Sequence, residues 1–340
     1  MGGMAVPITS VPIIQAPMAG GPSTPALAAA VNAAGGFGYV AAGYLTPAAL
    51  DEALRQTRAG TDRPFGVNLF VPGPSDAADD AAIAAYAAEL AAEAERFGAT
   101  LGQPRWEDDD YPAKLDLLVR DAVHTVSFTF GCPSPSDVAR LHRAGSRVAV
   151  TVTGADEALV ADEAGADVLV VQGTEAGGHQ GTFDPATPNR LPLLNALLAV
   201  RAATALPLVA AGAIMTSIDA GAALHAGAAQ VQVGTALLLT PEAGTSEPHR
   251  RALHERRYAD TVITRAFSGR WARGLANRFA REHTDAPAGY PQVHHLTRPL
   301  RAAATKAGDA DVPNLWAGTG WTEVVAEGAA DVVTRIAAGL

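Results

Sequence analysis

The sequence is short of several things, and each shortage excludes a class of protein. Among 340 residues there is a single cysteine, Cys132, so no intrachain disulfide can form and a reducing compartment is expected. Charged residues make up only 18%, and the formal net charge is −10 with a pI near 5.3. That balance gives no electrostatic footprint for nucleic acid or for an anionic membrane. Long apolar runs are missing too: stretches such as 191–200 are too short to cross a bilayer. The opening MGGMAVPITS has no basic region followed by an apolar one, so no secretory signal is expected. A cytoplasmic protein without nucleic-acid or membrane partners is the expectation. His294 and His295 are adjacent, cannot share a helix face and have no third ligand at metal spacing, so no metal site is expected.

What is present is a core and a rhythm. Hydrophobic residues account for 48%, enough for a large domain. Eight short apolar, β-rich runs recur at 11–18, 37–42, 65–71, 125–130, 147–152, 167–172, 206–211 and 229–234. Helical segments separate most of them. One spans 23–34, with Ser23 or Thr24 as cap, Pro25 in its first turn and Gly35-Gly36 at its end; another starts at Thr46. Later ones of similar length span 136–144, 155–164, 195–203 and 217–226. Strands alternating with helices imply a parallel sheet with helical crossovers. Eight such units favour an α/β fold of the closed (β/α)8 type, a TIM barrel. The rival, an open doubly wound sheet, usually shows GxGxxG after its first strand; here PMAGGPSTP stands in that place.

Two stretches exceed normal loop length. Residues 72–124 carry an alanine-rich helix over 76–97 and an acidic turn, 107–110. Residues 241–315 follow the eighth strand and hold most of the late arginines with His283, His294 and His295. The expected layout is a barrel from 1–240 and 316–340, with the 72–124 insertion, and a smaller lobe inserted after strand 8 over 241–315, as a lid. Residues 322–340 read as a helix returning to the barrel wall.

Barrels place their chemistry at the C-terminal ends of the strands. The stretch 167–183, DVLVVQGTEAGGHQGTF, runs from a buried strand into a glycine-rich segment that delivers Gln172, Glu175 and His179. Gly177 and Gly178 permit close approach of backbone to a ligand. Asn68, Gln172 and Gln232 are amides at the ends of apolar strands, where each must find partners. Together they suggest a polar heteroaromatic ring across the barrel mouth; singly, each also reads as a structural amide. Ala16, Pro17 and Met18 end the first strand and Phe130-Gly131 the fourth. The turns AAGAIMTS and VGTALLLTPE follow strands seven and eight, where barrels bind phosphate through backbone N–H groups. No GxxxxGK[ST] is present, so a nucleoside triphosphate is not expected. A phosphate on one side and amides on the other suit FMN. Cys132 reads as a small residue near the core, with no activating base beside it.

The combination of PIIQAPMAGGPSTPALAAAVNAAGGFG, FGVNLF, SFTFG, QGTEAGGHQG, AAGAI and VQVGT resembles the nitronate monooxygenase (2-nitropropane dioxygenase) family of FMN-dependent barrels, over roughly residues 11–240. The resemblance implies FMN held by Ala16, Pro17, Met18, Asn68, Gln172, Gly177 and Gly178. It adds Ala211, Gly212 and the run Gln232, Val233, Gly234 and Thr235. His179 matches the family's catalytic histidine. The implied reaction is oxidation of an alkyl nitronate or nitroalkane by O2 to a carbonyl compound and nitrite, with His179 as base. The same blocks are similar to flavin-barrel enoyl-acyl-carrier-protein reductases and NAD(P)H:quinone reductases, so that alternative stays open. Aligned by its Tyr-Pro start, YPQVHHLTRPL departs from an AYDxxK pattern of one bacterial subgroup and puts His294, His295 and Arg298 in its place. The sequence leaves the physiological substrate and the oligomeric state, homo-oligomer included, undecided.

Overall fold

The structure is a computed structural model and describes residues 9–75 and 78–340. Its strands are β1 (Ile13–Gln15), β2 (Tyr39–Ala41), β3 (Gly66–Phe70), β4 (Thr125–Thr129), β5 (Arg147–Val152), β6 (Val168–Gln172), β7 (Gly178–His179), β8 (Leu208–Ala211), β9 (Gln230–Val233), β10 (Thr261–Thr264) and β11 (Ala272–Leu275). Eight of them form one parallel sheet, in the order β1-β9-β8-β6-β5-β4-β3-β2. Its two ends meet: Ile14 bridges Phe37 in parallel, Gln15 N–H donates to Phe37 O at 2.9 Å, and Phe37 N–H donates to Ile13 O at 3.0 Å. The buried amide of Gln15 doubles this seam, accepting from Tyr39 N–H and donating to Tyr39 O, each at 3.0 Å. The barrel is therefore closed, and all eight expected runs are its staves.

Period-two alternation sorts the stave residues into two layers. Val67, Val126, Val148, Leu169, Leu208 and Val231 face outward and pack with the surrounding helices in the main core. Ile14, Phe37, Tyr39, Ala149, Val168, Val170, Val209 and Ala211 form a separate cluster inside the barrel. The helices start where caps allow. Thr24 accepts from Leu27 N–H before Pro25–Ala33, and Thr46 does the same for Ala49 before Pro47–Gly60. Thr216 and Asp219 form a reciprocal capping box on Ser217–His225. The last helix, Ala329–Ala337, packs on Pro25–Ala33 and Ser217–His225, against the barrel wall.

Three local expectations change. The alanine-rich segment is two helices, Asp80–Glu89 and Ala91–Arg96, broken at Leu90; the expected start at 76–77 lies outside the described residues. Alanines stabilise a helix but give no stripe to bury, so tertiary packing sets its limits. A further helix, Tyr111–Arg120, follows the acidic turn. The glycine segment after β6 is not merely a loop: Gly178–His179 pairs antiparallel with β11, which pairs with β10. His179 therefore sits on a small second sheet built by the late insertion. No helix of the described residues is long and apolar enough to cross a membrane.

Candidate active site

At the C-terminal end of the barrel lies a cavity of about 460 Å³, within the range of small-molecule and cofactor sites. Inward-facing residues at the ends of the staves make its floor: Asn68, Thr129, Thr151, Gln172, Ala211 and Gln232. Alternation explains why these side chains meet, since each stands two residues beyond an inward-facing neighbour. Ala16, Pro17, Met18, Gly177, Gly178, His179, Gly212, Gly234 and Thr235 complete the set foreseen from sequence. Val233 does not join them. Its side chain points outward into the main core, and its carbonyl accepts from Ala16 N–H at 2.7 Å.

The three amides have different roles. Gln172 is spent on the loop: its Nε2 donates to His179 O at 3.1 Å and its Oε1 accepts from Gly181 N–H at 2.7 Å. Asn68 donates to Ser127 Oγ and Thr129 Oγ1, each at 3.0 Å. Gln232 has no side-chain partner among the described residues and is the amide left free for a ligand. Glu175 also proves structural, its carboxylate capping Leu193 N–H at 3.0 Å.

Where β8 and β9 end, the N–H groups of Gly212, Ala213 and Gly234 find no acceptor among the described residues, although all three residues line the cavity. Thr235 Oγ1 accepts from Gly318 N–H at 2.9 Å, which leaves its own hydrogen to donate. Gly212 has φ +135°, a conformation side-chain-bearing residues avoid. Unpartnered backbone donors grouped in one wall suit an anion such as a phosphate. Tested on this chemistry, the residues present fit FMN: donors for its phosphate, small residues beside it and a free amide further along the floor.

His179 faces these groups from the second sheet. Its Nε2 lies 2.8 Å from Ser268 Oγ, and the rings of Phe130, Trp316 and Tyr290 surround it at 5.3–5.9 Å between centroids. It touches the cavity, yet lies deep enough that burial, reinforced by the Arg270 and Arg301 cations, pushes its pKa down to about 3. The imidazole is neutral at physiological pH. Arg270 packs its guanidinium 4.2 Å over Phe130 and donates to the carbonyls of Gln180 and Thr182. No carboxylate pairs with Arg270 or with Arg301 within 4.0 Å among the described residues. Phe130 holds φ 78°, a strained backbone for a residue with a side chain, at the rim expected from sequence.

Sequence reading missed the roof. Ser268, Arg301, Asn314 and Trp316 come from the late insertion and the chain just after it, and Tyr44 from the turn after β2. No local pattern marks them, because they reach the cavity only through tertiary approach. His294 and Arg298 also line the cavity, whereas His295 points away, 3.0 Å from Glu107. Cys132 is half-buried with its thiol pKa pushed up to about 11 by burial, so it is an unreactive thiol. Among the described residues no group of His, Cys, Asp or Glu has the arrangement of a metal site.

Comparison with known proteins agrees with this geometry along nearly the whole chain. The family model described as nitronate monooxygenase matches residues 4–338. A nitronate monooxygenase of Pseudomonas aeruginosa is 43% identical over 329 residues, covering 91% of this chain and 90% of the relative. Among solved structures, a nitroalkane oxidase from Streptomyces ansochromogenes is 48% identical, with a TM-score of 0.93 over 97% of this chain and 96% of that one. FabK from Thermotoga maritima is more distant, 25% identical with a TM-score of 0.75, covering 96% and 92%. A closed eight-stave barrel, a neutral histidine over a cavity with free backbone donors, and these whole-length matches give one conclusion: the chain belongs to the nitronate monooxygenase family of flavin-dependent oxidoreductases.

Proposed function

We propose that this enzyme binds FMN in the barrel mouth and oxidises small alkyl nitronates with O2 to carbonyl compounds and nitrite. The observation that carries the reading is the position of neutral His179 across the cavity from the unpartnered donors of Gly212, Ala213 and Gly234. Those N–H groups and the Thr235 hydroxyl would hold the phosphate, and Gln232 the ring edge. Ala16, Pro17, Met18, Asn68 and Gly177 would border the ring. When bound, FMN supplies the redox chemistry, taking electrons from the substrate carbon and passing them to O2.

The protein's own residues favour an anionic substrate. Arg301 lines the cavity and buried Arg270 acts on His179 beside it, neither with a carboxylate partner, so a nitronate entering the cavity finds positive potential already in place. His179, with a pKa near 3, is neutral at rest: one ring nitrogen carries the single proton and the other can accept a second. Its proton affinity is low, however, until an anion sits beside it, so abstraction from a neutral nitroalkane is the harder task. With a nitronate no abstraction is needed, and His179 orients the substrate while Phe130, Tyr290 and Trp316 exclude water around it.

We infer the same division of the chain as expected from sequence, a barrel from 1–240 and 316–340 and a lobe over 241–315. A second hydrophobic cluster around Phe267, Phe279 and Leu300 supports it, and Ile83 and Tyr86 of the earlier insertion join that cluster. The test of the activity is His179→Asn. Turnover of nitroethane is expected to fall by about 10²–10⁴, and that of ethylnitronate by less. Unchanged rates on both substrates would remove His179 from the mechanism.

A further inference from the structure

The helix Gln292–Lys306 carries His294, whose imidazole lines the cavity although nothing in the local sequence gives it a task. Its hydrogen-bond partner decides its tautomer. Arg301 Nη2 lies 3.3 Å from His294 Nδ1, and a guanidinium can only donate. Nδ1 is therefore the acceptor, and the single proton of the neutral ring sits on Nε2. No acceptor for that Nε2–H exists among the described residues. A second proton on the ring is opposed by burial and by Arg301, which hold the pKa down at about 2.

The ring is also fixed in direction. It stacks on Tyr44 with centroids 4.4 Å apart and planes 1° from parallel. Tyr44 is pinned in turn: its N–H donates to Asp109 Oδ1 at 2.9 Å, and Asp109 pairs at 2.8 Å with buried Lys114. Lys114 Nζ donates to Ala42 O at 3.0 Å, just before the turn that carries Tyr44. Arg301 is held by Thr297 Oγ1 at 3.0 Å and by Asn314 Oδ1. A half-turn flip of the imidazole would forfeit the Arg301 contact. One ring, that of Tyr290, contacts both His179 and His294, at 5.9 and 6.3 Å.

We propose that His294 is a second substrate-binding imidazole, a neutral donor that holds an oxygen of the nitronate through its Nε2–H. A donor that opens onto the cavity without a protein acceptor is left for water or a ligand to complete. A planar oxyanion beside the unpaired guanidinium of Arg301 does so, and a ligand lacking acceptor oxygens does not. The substrate class rests on the nitronate reading above; the tautomer and the free donor rest on Arg301 alone.

The experiment uses the full chain loaded with FMN and labelled with 15N-histidine. Long-range 15N–1H correlation at pH 7, compared with His294→Phe to assign the signal, should show the proton of His294 on Nε2. Adding sodium nitrate, a planar trigonal oxyanion, should shift that signal. A proton on Nδ1, an imidazolium, or no response to nitrate overturns the proposal. In kinetics with ethylnitronate, His294→Phe retains a ring to stack on Tyr44 but loses the donor. KM should rise about tenfold to a hundredfold while kcat stays within about threefold; His294→Gln, which keeps an N–H donor, should recover part of the loss. Equal losses in both variants, or none in His294→Phe, also overturn it. Flavin content and melting temperature of each variant separate a folding defect from a binding one. If the wild-type enzyme turns over no nitronate, the functional reading fails, and the tautomer and nitrate measurements still decide the role of His294.

Discussion

His179 and Ser268 are 89 residues apart in sequence and 2.8 Å apart at Nε2 and Oγ. The contact joins β7, which leaves the barrel, to the insertion that roofs it. Ser268 is itself buried and lies 3.4 Å from both the carbonyl and the N–H of Arg270. The hydroxyl therefore ties the imidazole to the same turn that carries Arg270, the buried cation that helps hold His179 neutral.

Removing that hydroxyl loosens His179 without emptying its aromatic surround. Ser268→Ala is expected to lower kcat/KM for ethylnitronate by about tenfold, the value of one hydrogen bond of ordinary strength. The melting temperature should move by only a few degrees, or about 1 kcal/mol. Steady-state oxygen uptake and a thermal melt check both. A variant with wild-type kcat/KM would show that the contact does not position the imidazole.

The donors at the ends of β8 and β9 can be tested through Gly212. With φ +135° and only 3.3 Å between an added Cβ and Ala176 N, this position resists any side chain. Gly212→Val should displace the backbone that presents its N–H and should purify with little flavin. Bound ligand stabilises a fold by mass action, so wild-type protein stripped of flavin should melt higher on adding FMN and the variant should not. A variant that retains full flavin would place the phosphate elsewhere.

Buried neutral imidazoles also set a pH dependence of stability. His249, His179 and His294 all have pKa values pushed down chiefly by burial, to about 4, about 3 and about 2. In the unfolded chain each titrates near 6.5. Below that pH the unfolded state binds protons that the folded state refuses, so stability falls as pH falls. It continues to fall until pH reaches the folded pKa. Each ring contributes about 1.4 kcal/mol per pH unit in that window, roughly 6 kcal/mol for the three between pH 6.5 and 5. Urea unfolding at pH 7 and pH 5 should show a loss of this order, and His249→Leu should remove about a third of it. An unchanged difference in that variant would contradict the assignment of a neutral buried His249.

The barrel was legible because its signals are local. Eight β-rich runs, Thr24 and Thr46 before Pro25 and Pro47, and glycine at helix ends each fix a structure within a few residues. Asn68, Gln172 and Gln232 were visible as amides out of place on apolar strands, and alternation brings all three to the floor. Their individual fates were not legible. Gln172 is tied to the loop it precedes while Gln232 is free, and only the folded path of Gly173–Gly181 decides between them. The same holds for Val233, which carries a motif position but faces outward. The roof was the least legible part. Ser268 and Arg301 belong to an insertion, and Trp316 to the chain just after it, whose contacts with the barrel have no periodic signature, and adjacent His294 and His295 diverge because a helix turns by about 100° per residue.

In the proposed reaction electrons reach the flavin from a nitronate and leave to O2. The direct measurement is anaerobic mixing of the FMN-loaded enzyme with ethylnitronate, NADH or NADPH, followed by absorbance of the oxidised flavin and then by admission of air. Ethylnitronate should bleach the flavin, and air should restore its colour with release of nitrite, while the nicotinamides act slowly or not at all. Prompt bleaching by NADH or NADPH with no response to ethylnitronate would contradict the account and make the enzyme a reductase of quinones or enoyl thioesters.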